Sequence, residues 1–262
     1  MKPIKDRIEE IRTNGYEMDF GTIFEHAFEN YKKIAVYAGL LLLVFTILFG
    51  SLLYGIALSF FGMENINEAL KPENLKPESF SEQFLLIYTV SVLLITCLIS
   101  PFQAGFFKMA DCGQKRQEFH VSTIFEYYKS PYFMNIFLST FLIALMSSGL
   151  SLLLDFTGIK VVGLLVTLTI SFITFLTIPL IVFGKLNAIE AIKSSITIVL
   201  KEPLLLLALL IVAIIAVFMG FFAFCIGLFF TLPFLISMKY SIYSHIIGID
   251  PESELEESRS RM

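Results

Sequence analysis

The most restrictive feature of the sequence is an apolar run from Pro203 to Ile249, in which only Lys239 and His245 can carry a charge. One helix needs about 20 apolar residues to cross a bilayer, and this run is roughly twice that length. A single spanning helix therefore cannot account for it. The run predicts a hairpin of two membrane-spanning helices, with the turn between Gly220 and Gly227.

Four further apolar runs precede this hairpin, so the chain is expected to cross the membrane six times. The predicted spans are Ile34–Phe61, Phe84–Phe107, Tyr132–Leu154, Val161–Phe183, Leu204–Met219 and Leu228–Ile247. Charged residues make up 16% of the chain, whereas roughly 25% is usual in a soluble domain. We therefore predict an all-α integral membrane protein with its membrane domain in residues 20–249. Residues 1–19 are expected to be a cytoplasmic segment, and residues 250–262 an acidic, disordered tail.

The distribution of positive charge predicts the orientation of these spans. Lysines and arginines near the ends of a span are retained on the cytoplasmic side of the membrane. Of the 19 lysines and arginines, only Lys71, Lys76 and Lys160 lie in loops on the side opposite the termini. Both termini are therefore expected in the cytoplasm.

Three short segments on the cytoplasmic side share a helix-capping pattern. Each has a cap-forming residue followed three positions later by glutamate, so that the two side chains can bond each other's free backbone N–H groups. The pairs are Thr22 and Glu25, Thr123 and Glu126, and Asn187 and Glu190. Behind each pair, apolar and charged residues alternate with helical periodicity. We expect three amphipathic helices to begin here and either to lie in the headgroup layer or to pack under the bundle.

Each return span also contains a proline. Pro101, Pro179 and Pro233 each follow a Ser or Thr closely and precede a lysine by six or seven residues. Proline removes one backbone hydrogen bond and bends a helix, and a nearby hydroxyl can bond the carbonyl that is freed. The lysines that follow are expected to extend to the cytoplasmic headgroups. The pattern predicts three pseudo-repeats, each an amphipathic helix plus a transmembrane hairpin. They cover approximately residues 20–107, 122–184 and 186–247.

The segment from Pro179 to Ser195 resembles the central signature of bacterial multi-pass families related to the membrane domain of glycerophosphodiester phosphodiesterases. In those families, a proline near the cytoplasmic end of the fourth helix precedes a segment of the form Glu-Ala-(Ile/Leu)-(Lys/Arg)-x-Ser, which is Glu190 to Ser195 here. The likeness extends loosely over residues 20–248. It implies a six-helix module of a bacterial inner membrane. The phosphodiesterase barrel has no counterpart in the sequence, so the resemblance does not imply hydrolysis.

No group of residues matches a catalytic or metal-binding pattern. His26, His120 and His245 form no pair at the spacing of metal ligands, and the three glutamates of the capping pairs are explained by helix starts. A nucleophile elbow and a phosphate-binding loop are both absent from the sequence. The net charge of −4 argues against nucleic acid as a partner. We therefore expect no enzymatic activity, no cofactor and no metal.

Polar residues inside the spans leave two interpretations open. Gln103 is the most polar residue well inside a span, and it is suited either to an interhelical hydrogen bond or to a cavity. Spans three and four also carry many small and hydroxyl-bearing residues. They are Ser147, Ser148, Gly149, Ser151, Gly163, Thr167, Thr169, Ser171 and Thr174. This composition favours close helix packing, with a polar groove for lipid as the alternative.

Two functions remain after these exclusions. The first is a non-enzymatic membrane module that docks a partner membrane protein or organises lipids through its cytoplasmic helices. Its candidate contacts are the charged residues Glu29, Lys32, Lys129 and Lys193. The alternative is a transporter or lipid-translocating protein whose path runs between the proline-bent helices and passes Gln103.

Overall fold

The computed structural model describes residues 4–69, 71, 81–129, 131–155, 160–222 and 226–249, and within these ranges the regular structure is helical. The helices are α1 (Ile4–Asn14), α2 (Phe20–Ala69), α3 (Glu82–Lys115), α4 (Val121–Ile124), α5 (Glu126–Lys129), α6 (Phe133–Asp155), α7 (Lys160–Ile173), α8 (Thr177–Val182), α9 (Ala188–Val199), α10 (Pro203–Met219) and α11 (Ile226–Ile246). The predicted acidic tail, residues 250–262, lies outside the described residues, as does the centre of the last hairpin turn.

Six segments of these helices are long and apolar enough to cross a membrane, which confirms the predicted number of spans. They are Phe20–Phe60, Leu86–Lys115, Phe133–Ser151, Val161–Val182, Pro203–Phe222 and Ile226–Ile246. Large apolar side chains, among them Val36, Leu204 and Phe222, are exposed on the outside of the bundle. An apolar surface of this extent is not tolerated in water, so the chain is a multi-pass membrane protein.

Helix α11 provides much of the buried core of the bundle. Its side chains Met238, Tyr240 and Tyr243 are almost completely buried. Phe234 of the same helix packs edge-on against Phe24 and Tyr31 of α2, with ring centroids 5.9 and 5.4 Å away. The most apolar stretch of α2, by contrast, contains no buried residue. This stretch of α2 is therefore peripheral and free to face lipid, whereas most of the buried residues of α11 lie between Pro233 and Ile246, where other helices cover it.

The N-terminal segment, predicted only to be cytoplasmic, contains helix α1, which is bonded to α9 and to the end of α11. Lys5 Nζ lies 2.8 Å from Glu190 Oε1, and this hydrogen bond lowers the pKa of the Glu190 carboxyl. The Tyr16 hydroxyl donates to the carbonyl of Ile198 at 2.9 Å. Arg7 Nε donates to the carbonyl of Ile246 at 3.1 Å, so it satisfies one of the free carbonyls at the end of α11.

The capping prediction is wrong at Thr22. Helix α2 begins at Phe20, and the carboxylate of the preceding Asp19 accepts hydrogen bonds from the Thr22 N–H at 2.7 Å and the Thr22 hydroxyl at 2.9 Å. A carboxylate placed directly before the helix binds the free N–H groups and also interacts favourably with the helix dipole. These hydrogen bonds lower the pKa of the Asp19 carboxyl. Glu25 consequently lies beyond the first turn and is exposed.

The prediction is also wrong at Thr123 but not at Asn187. Helix α4 begins one residue after His120, which makes no side-chain capping bond, and Thr123 already donates its N–H to the His120 carbonyl within that turn. Glu126 begins the separate helix α5. Asn187 occupies the N-cap of α9, where its side chain accepts the Glu190 N–H at 2.9 Å.

The three predicted amphipathic segments consequently have three different forms. The first is continuous with its span in α2, because no proline interrupts the backbone ladder between Phe20 and Phe60. The second consists of two single turns, α4 and α5, separated at Phe125. Only the third, α9, is a separate helix of 12 residues.

The hydroxyl groups that precede the three prolines also have different partners. Ser100 donates to the carbonyl of Cys97 at 2.8 Å, which is the carbonyl that Pro101 leaves without a donor. The Thr231 hydroxyl, two residues before Pro233, lies 3.1 Å from the Val217 carbonyl of α10. The corresponding hydroxyl of Thr177, two residues before Pro179, is buried without any hydrogen-bond partner among the described residues. Pro101 and Pro233 lie inside continuous helices.

The fourth span is broken near Pro179, and a serine of the neighbouring helix α9 fills the break. Helix α7 ends at Ile173 and α8 begins at Thr177. The hydroxyl of Ser195 donates to the Ile173 carbonyl at 2.9 Å and accepts the N–H of Leu176 at 3.2 Å. Ser195 is completely buried. The Ser195 side chain therefore provides partners for a carbonyl and an N–H that make no helical hydrogen bond at the break between α7 and α8.

We expect the substitution Ser195→Ala to lower the free energy of unfolding by about 2 kcal/mol, because it leaves a buried carbonyl and a buried N–H without partners. Unfolding in mixed detergent and SDS micelles measures the change. Ser194→Ala is the matched control, because Ser194 is adjacent and only partly buried. Equal stability of the two variants would contradict the role assigned to Ser195.

Candidate intramembrane cavity

A cavity of about 440 Å³ lies among α3, α6, α7, α8 and α11, and its walls carry an unusual number of polar side chains for a membrane span. The polar lining residues are Thr96, Ser100, Gln103, Ser139, Thr140, Ser147, Thr167, Ser171, Thr174, Thr177 and Lys239. The rest of the described lining is apolar, with Ile99, Ile143 and Ile170 as examples. Ser147, Thr167, Ser171 and Thr174 belong to the small and hydroxyl-bearing residues noted in the sequence. These four residues therefore line a cavity rather than a closely packed helix contact.

Lys239 is the one cationic residue among the described lining residues, and no Asp or Glu is among them. Sequence analysis predicted that this lysine extends to the headgroups, but it lines the cavity within the sixth span, Ile226–Ile246. Helix α11 continues for seven residues beyond it, which places the helix end about 10 Å further along the axis. In the described part of the chain, Lys239 has no hydrogen bond and no ion pair. An ammonium group in this position loses several kcal/mol of solvation unless a ligand or water compensates it.

Thr177 lines the same cavity with an unused hydroxyl group. Its side-chain oxygen is buried and has no hydrogen-bond partner in the described structure. The hydroxyl lies at the start of α8, directly after the break that Ser195 fills. A buried hydroxyl without a partner costs about 1–3 kcal/mol, and a ligand that accepts its hydrogen bond would recover part of that cost.

Gln103, which the transport alternative places in its path, is one of the residues that line this cavity. It is partly buried in α3, it lines the cavity, and its amide makes no hydrogen bond to another described residue. The interhelical hydrogen bond considered from the sequence is therefore not formed within the described chain. An amide supplies two donors and one acceptor, so Gln103 is suited to a polar ligand.

Several hydroxyl groups of the cavity are already occupied as donors. Thr140 donates to the Ile136 carbonyl at 2.9 Å, Thr167 to the Gly163 carbonyl at 3.1 Å and Thr174 to the Ile170 carbonyl at 2.6 Å. These groups retain oxygen lone pairs with which to accept a further bond. The unoccupied donors within the described lining are Lys239, Thr177, Gln103, Ser147 and Ser171. The cavity thus offers both donors and acceptors.

A buried polar network lies beside the cavity, in the part of the bundle that leads to the ends of α3 and α11. Asp111 is 2% exposed, and its carboxylate accepts hydrogen bonds from the Tyr240 hydroxyl and from Lys115 Nζ, each at 3.0 Å. Lys108 Nζ lies 4.0 Å from the same carboxylate. The completely buried Asn30 of α2 donates to the Ala110 carbonyl at 2.7 Å and accepts the hydroxyl of Ser237 at 2.8 Å. This network ties α2, α3 and α11 together.

The residues predicted to contact a partner or lipid lie on the outside of the bundle. Glu29 and Lys32 are exposed and form an ion pair with each other at 2.5 Å. Lys129 of α5 and Lys193 of α9 are also exposed. The structure places these four residues on three separate helices, away from the cavity lining.

Two of the histidines meet in the structure, although their spacing in the sequence does not predict this contact. His26 of α2 and His245 of α11 lie with ring centroids 4.8 Å apart, and both contact Ser241. His120 lies before α4. Within the described residues, no group of three His, Cys, Asp or Glu side chains is arranged to hold a metal ion.

The fold and the cavity define the chain as a polytopic helical membrane protein with a polar site inside its bundle. Comparison with family models, with curated proteins and with solved structures finds no match. The resemblance of Pro179–Ser195 to the phosphodiesterase-related membrane families therefore stays a prediction.

Proposed function

We propose that this protein is a membrane protein that binds a polar ligand inside its helical bundle and moves it, as a transporter or lipid-translocating protein. The observation that carries this proposal is Lys239, a cation without a partner among the described residues, placed beside a polar cavity within a span. An ionisable residue in such a position is typical of a substrate or ion path. Gln103 and Thr177 add unused hydrogen-bonding groups to the same cavity. This function corresponds to the alternative derived from the sequence.

Docking of a partner protein, or organisation of lipids at the cytoplasmic surface, is the second candidate. Lys129 and Lys193 support it, because both are exposed and neither forms an ion pair within the described chain. Lysines at a membrane surface attract anionic headgroups by about 1 kcal/mol each. That attraction alone does not explain the cavity, so we place this function second.

The transport proposal is tested with purified protein in liposomes that contain a fluorescent phospholipid. We expect Gln103→Ala to slow the movement of the labelled lipid between leaflets by about tenfold, the effect of losing one hydrogen bond of roughly 1.4 kcal/mol to a bound ligand. Gln117→Ala is the control, because Gln117 is exposed in the connection after α3. Equal rates for Gln103→Ala and the wild type, or no protein-dependent movement, would favour the docking function instead.

The localisation and orientation belong to the same proposal. We place the protein in a bacterial inner membrane with both termini in the cytoplasm, on the distribution of lysine and arginine. Lys239 is left out of the count of lysines and arginines on the cytoplasmic side, because it lines the cavity. The excess of positive residues on that side is still large, since only Lys71, Lys76 and Lys160 lie in loops on the opposite side.

Single-cysteine labelling in intact cells tests this orientation. We expect Asn67→Cys, near the end of α2, to react with an impermeant maleimide, and Gln117→Cys to react only after permeabilisation. Both positions are exposed, whereas the native Cys112 is buried and therefore is not a useful reporter. Cys97, Cys112 and Cys225 are all replaced by Ser in the background, so that each variant carries one cysteine. The opposite labelling pattern would reverse the orientation.

We also propose a threefold repeat, which is now limited to the three hairpins and their prolines. The helical pairs α2 and α3, α6 with α7 and α8, and α10 and α11 each end in a helix that contains Pro101, Pro179 or Pro233. The hairpins and their prolines support a duplication, whereas the capping pairs at Thr22 and Thr123 do not. We expect the three hairpins to superpose in an experimental structure, with the three prolines at equal depth in the membrane.

A further inference from the structure

We infer that the cavity binds the phosphate-bearing headgroup of an anionic phospholipid, with the phosphate beside Lys239. This inference rests on the proposed function and names its ligand class. Lys239 brings one positive charge to the cavity, and no carboxylate occurs in its described lining. A single phosphodiester carries one negative charge, so binding it would neutralise the ammonium group and offset the solvation that the group loses in the span.

The hydrogen-bonding groups of the cavity match such a headgroup. Lys239, Thr177 and Gln103 provide donors that no described residue uses, and the phosphate oxygens accept hydrogen bonds from donors of this kind. Thr140 and Thr174 already donate to carbonyls of their own helices, so they are left to accept. A glycerol headgroup has hydroxyl groups that can donate to them. Phosphatidylglycerol is therefore the probe that the cavity fits best.

The shape of the cavity favours a lipid over a free anion. Thr96 and Ile99 of α3 and Ser171 of α7 line the cavity and are themselves exposed, so the cavity is open along these two helices. All three residues belong to segments that span the membrane. Leu98, next to Ile99, and Leu168, three residues before Ser171, are exposed and apolar, which suits acyl chains. A lipid can therefore place its headgroup inside while its chains remain in the bilayer.

The size of the cavity is compatible with this ligand. Its volume of about 440 Å³ lies within the range of roughly 300–1,000 Å³ that is usual for small-molecule sites. The lining combines hydroxyl-bearing residues and Lys239 with apolar residues such as Ile143 and Ile170. An amphiphile satisfies both kinds of surface, whereas inorganic phosphate would leave the apolar walls uncovered.

The experiment is native mass spectrometry of protein reconstituted in nanodiscs with equal phosphatidylglycerol and phosphatidylcholine. We expect the wild type to retain phosphatidylglycerol in preference to phosphatidylcholine, and Lys239→Met to reduce this retention by at least about tenfold. Thr177→Val should reduce it less, because that variant keeps the cation. Lys201→Met is the matched control, since it removes one exposed lysine outside the cavity. Helix content and unfolding midpoint are measured for each variant, so that only folded proteins are compared.

The other outcomes separate this inference from the proposed function. If Lys239→Met retains phosphatidylglycerol as the wild type does, while Gln103→Ala loses bound lipid of any charge, the cavity is a ligand site and the anionic assignment is wrong. If inorganic phosphate or glycerol phosphate stabilises the detergent-solubilised protein through Lys239 and phosphatidylglycerol is not retained, the ligand is a soluble anion. If oleate at equal concentration displaces phosphatidylglycerol, the anionic group that the cavity recognises is a carboxylate and not a phosphate. If neither Lys239→Met nor Gln103→Ala changes any retention, both the inference and the proposed function fail.

Discussion

Replacement of Asp111 by alanine is expected to lower the free energy of unfolding by about 3–5 kcal/mol, the usual result of removing one partner from a buried ionic network. The Asp111 carboxylate binds Lys115 and the Tyr240 hydroxyl at 3.0 Å, and Lys108 lies 4.0 Å away. Loss of the carboxylate leaves two ammonium groups close together, with 13% and 22% of their side chains exposed. It also leaves the buried Tyr240 hydroxyl without this acceptor. Titration with SDS in mixed micelles measures the change.

The matched control for this prediction is Glu29→Ala. Glu29 also forms an ion pair, with Lys32, but about half of each side chain is exposed. Exposed pairs of this kind contribute up to about 1 kcal/mol, so we expect little effect on unfolding. The conservative variant Asp111→Asn should be intermediate, because it keeps an acceptor for Tyr240 and loses the charge. If Asp111→Ala were no more destabilised than Glu29→Ala, the network would be solvated and could not tie α3 to α11.

The parts of the fold that the sequence predicts are those set by local length and composition. Each span follows from an apolar run of sufficient length, and all six are found. The bond from Ser100 to the Cys97 carbonyl was also predictable, because it depends only on residues within one turn of Pro101. The same holds for Asn187, whose side chain bonds an N–H three residues later.

The predictions that failed depend on competition between neighbouring groups. At Thr22, the pattern of a hydroxyl residue followed by glutamate ignored Asp19, which lies three residues earlier and accepts hydrogen bonds from the Thr22 N–H and the Thr22 hydroxyl. At Thr123, the helix is only one turn long, so no regular capping position exists there. A capping pattern predicts a helix start only where no better acceptor precedes it.

The cavity could be predicted only in part. The hydroxyl-bearing residues of spans three and four and Gln103 were recognised, because their polarity is visible in an apolar run. The place of Lys239 in the cavity was not predicted, since its position near the end of an apolar run is typical of a lysine that extends to the headgroups. Its actual environment depends on α11 continuing to Ile246 and on the packing of four other helical segments around it. Such contacts between distant segments cannot be read from one sequence.

Lys239 and Thr177 serve the proposed function of the bundle but lower its stability. Both residues bring polar groups into the span without partners in the described chain, and each lowers stability in the absence of ligand. At Asp111 and Asn30, by contrast, buried polar groups are bonded to residues of other helices. The buried groups of Asp111 and Asn30 are therefore satisfied by the protein itself, whereas Lys239 and Thr177 lack partners in the described chain, as expected where a ligand completes their hydrogen bonds.

Replacement of Gly105 by alanine is expected to lower the free energy of unfolding by about 3 kcal/mol, at the upper end of the usual range for overpacking. A Cβ atom at this position would lie 2.5 Å from the Ile124 carbonyl oxygen and 2.7 Å from the Ile124 Cα. Both contacts are with backbone, so no side-chain rotation can relieve them. Helix α4 would have to move away from α3, which would disturb the packing of Phe125 against Phe45 at 5.3 Å and Phe102 at 6.0 Å.

Gly55→Ala controls for the intrinsic preference of alanine for helices. Gly55 lies within α2, and nothing is found within 4 Å of a Cβ built there. Alanine at such a position should be neutral or stabilise the helix by up to about 1 kcal/mol. Unfolding in SDS micelles compares the two variants directly. If Gly105→Ala is as stable as Gly55→Ala, α4 does not pack closely on α3, and the segment formed by α4 and α5 is held to the bundle by its aromatic side chains alone.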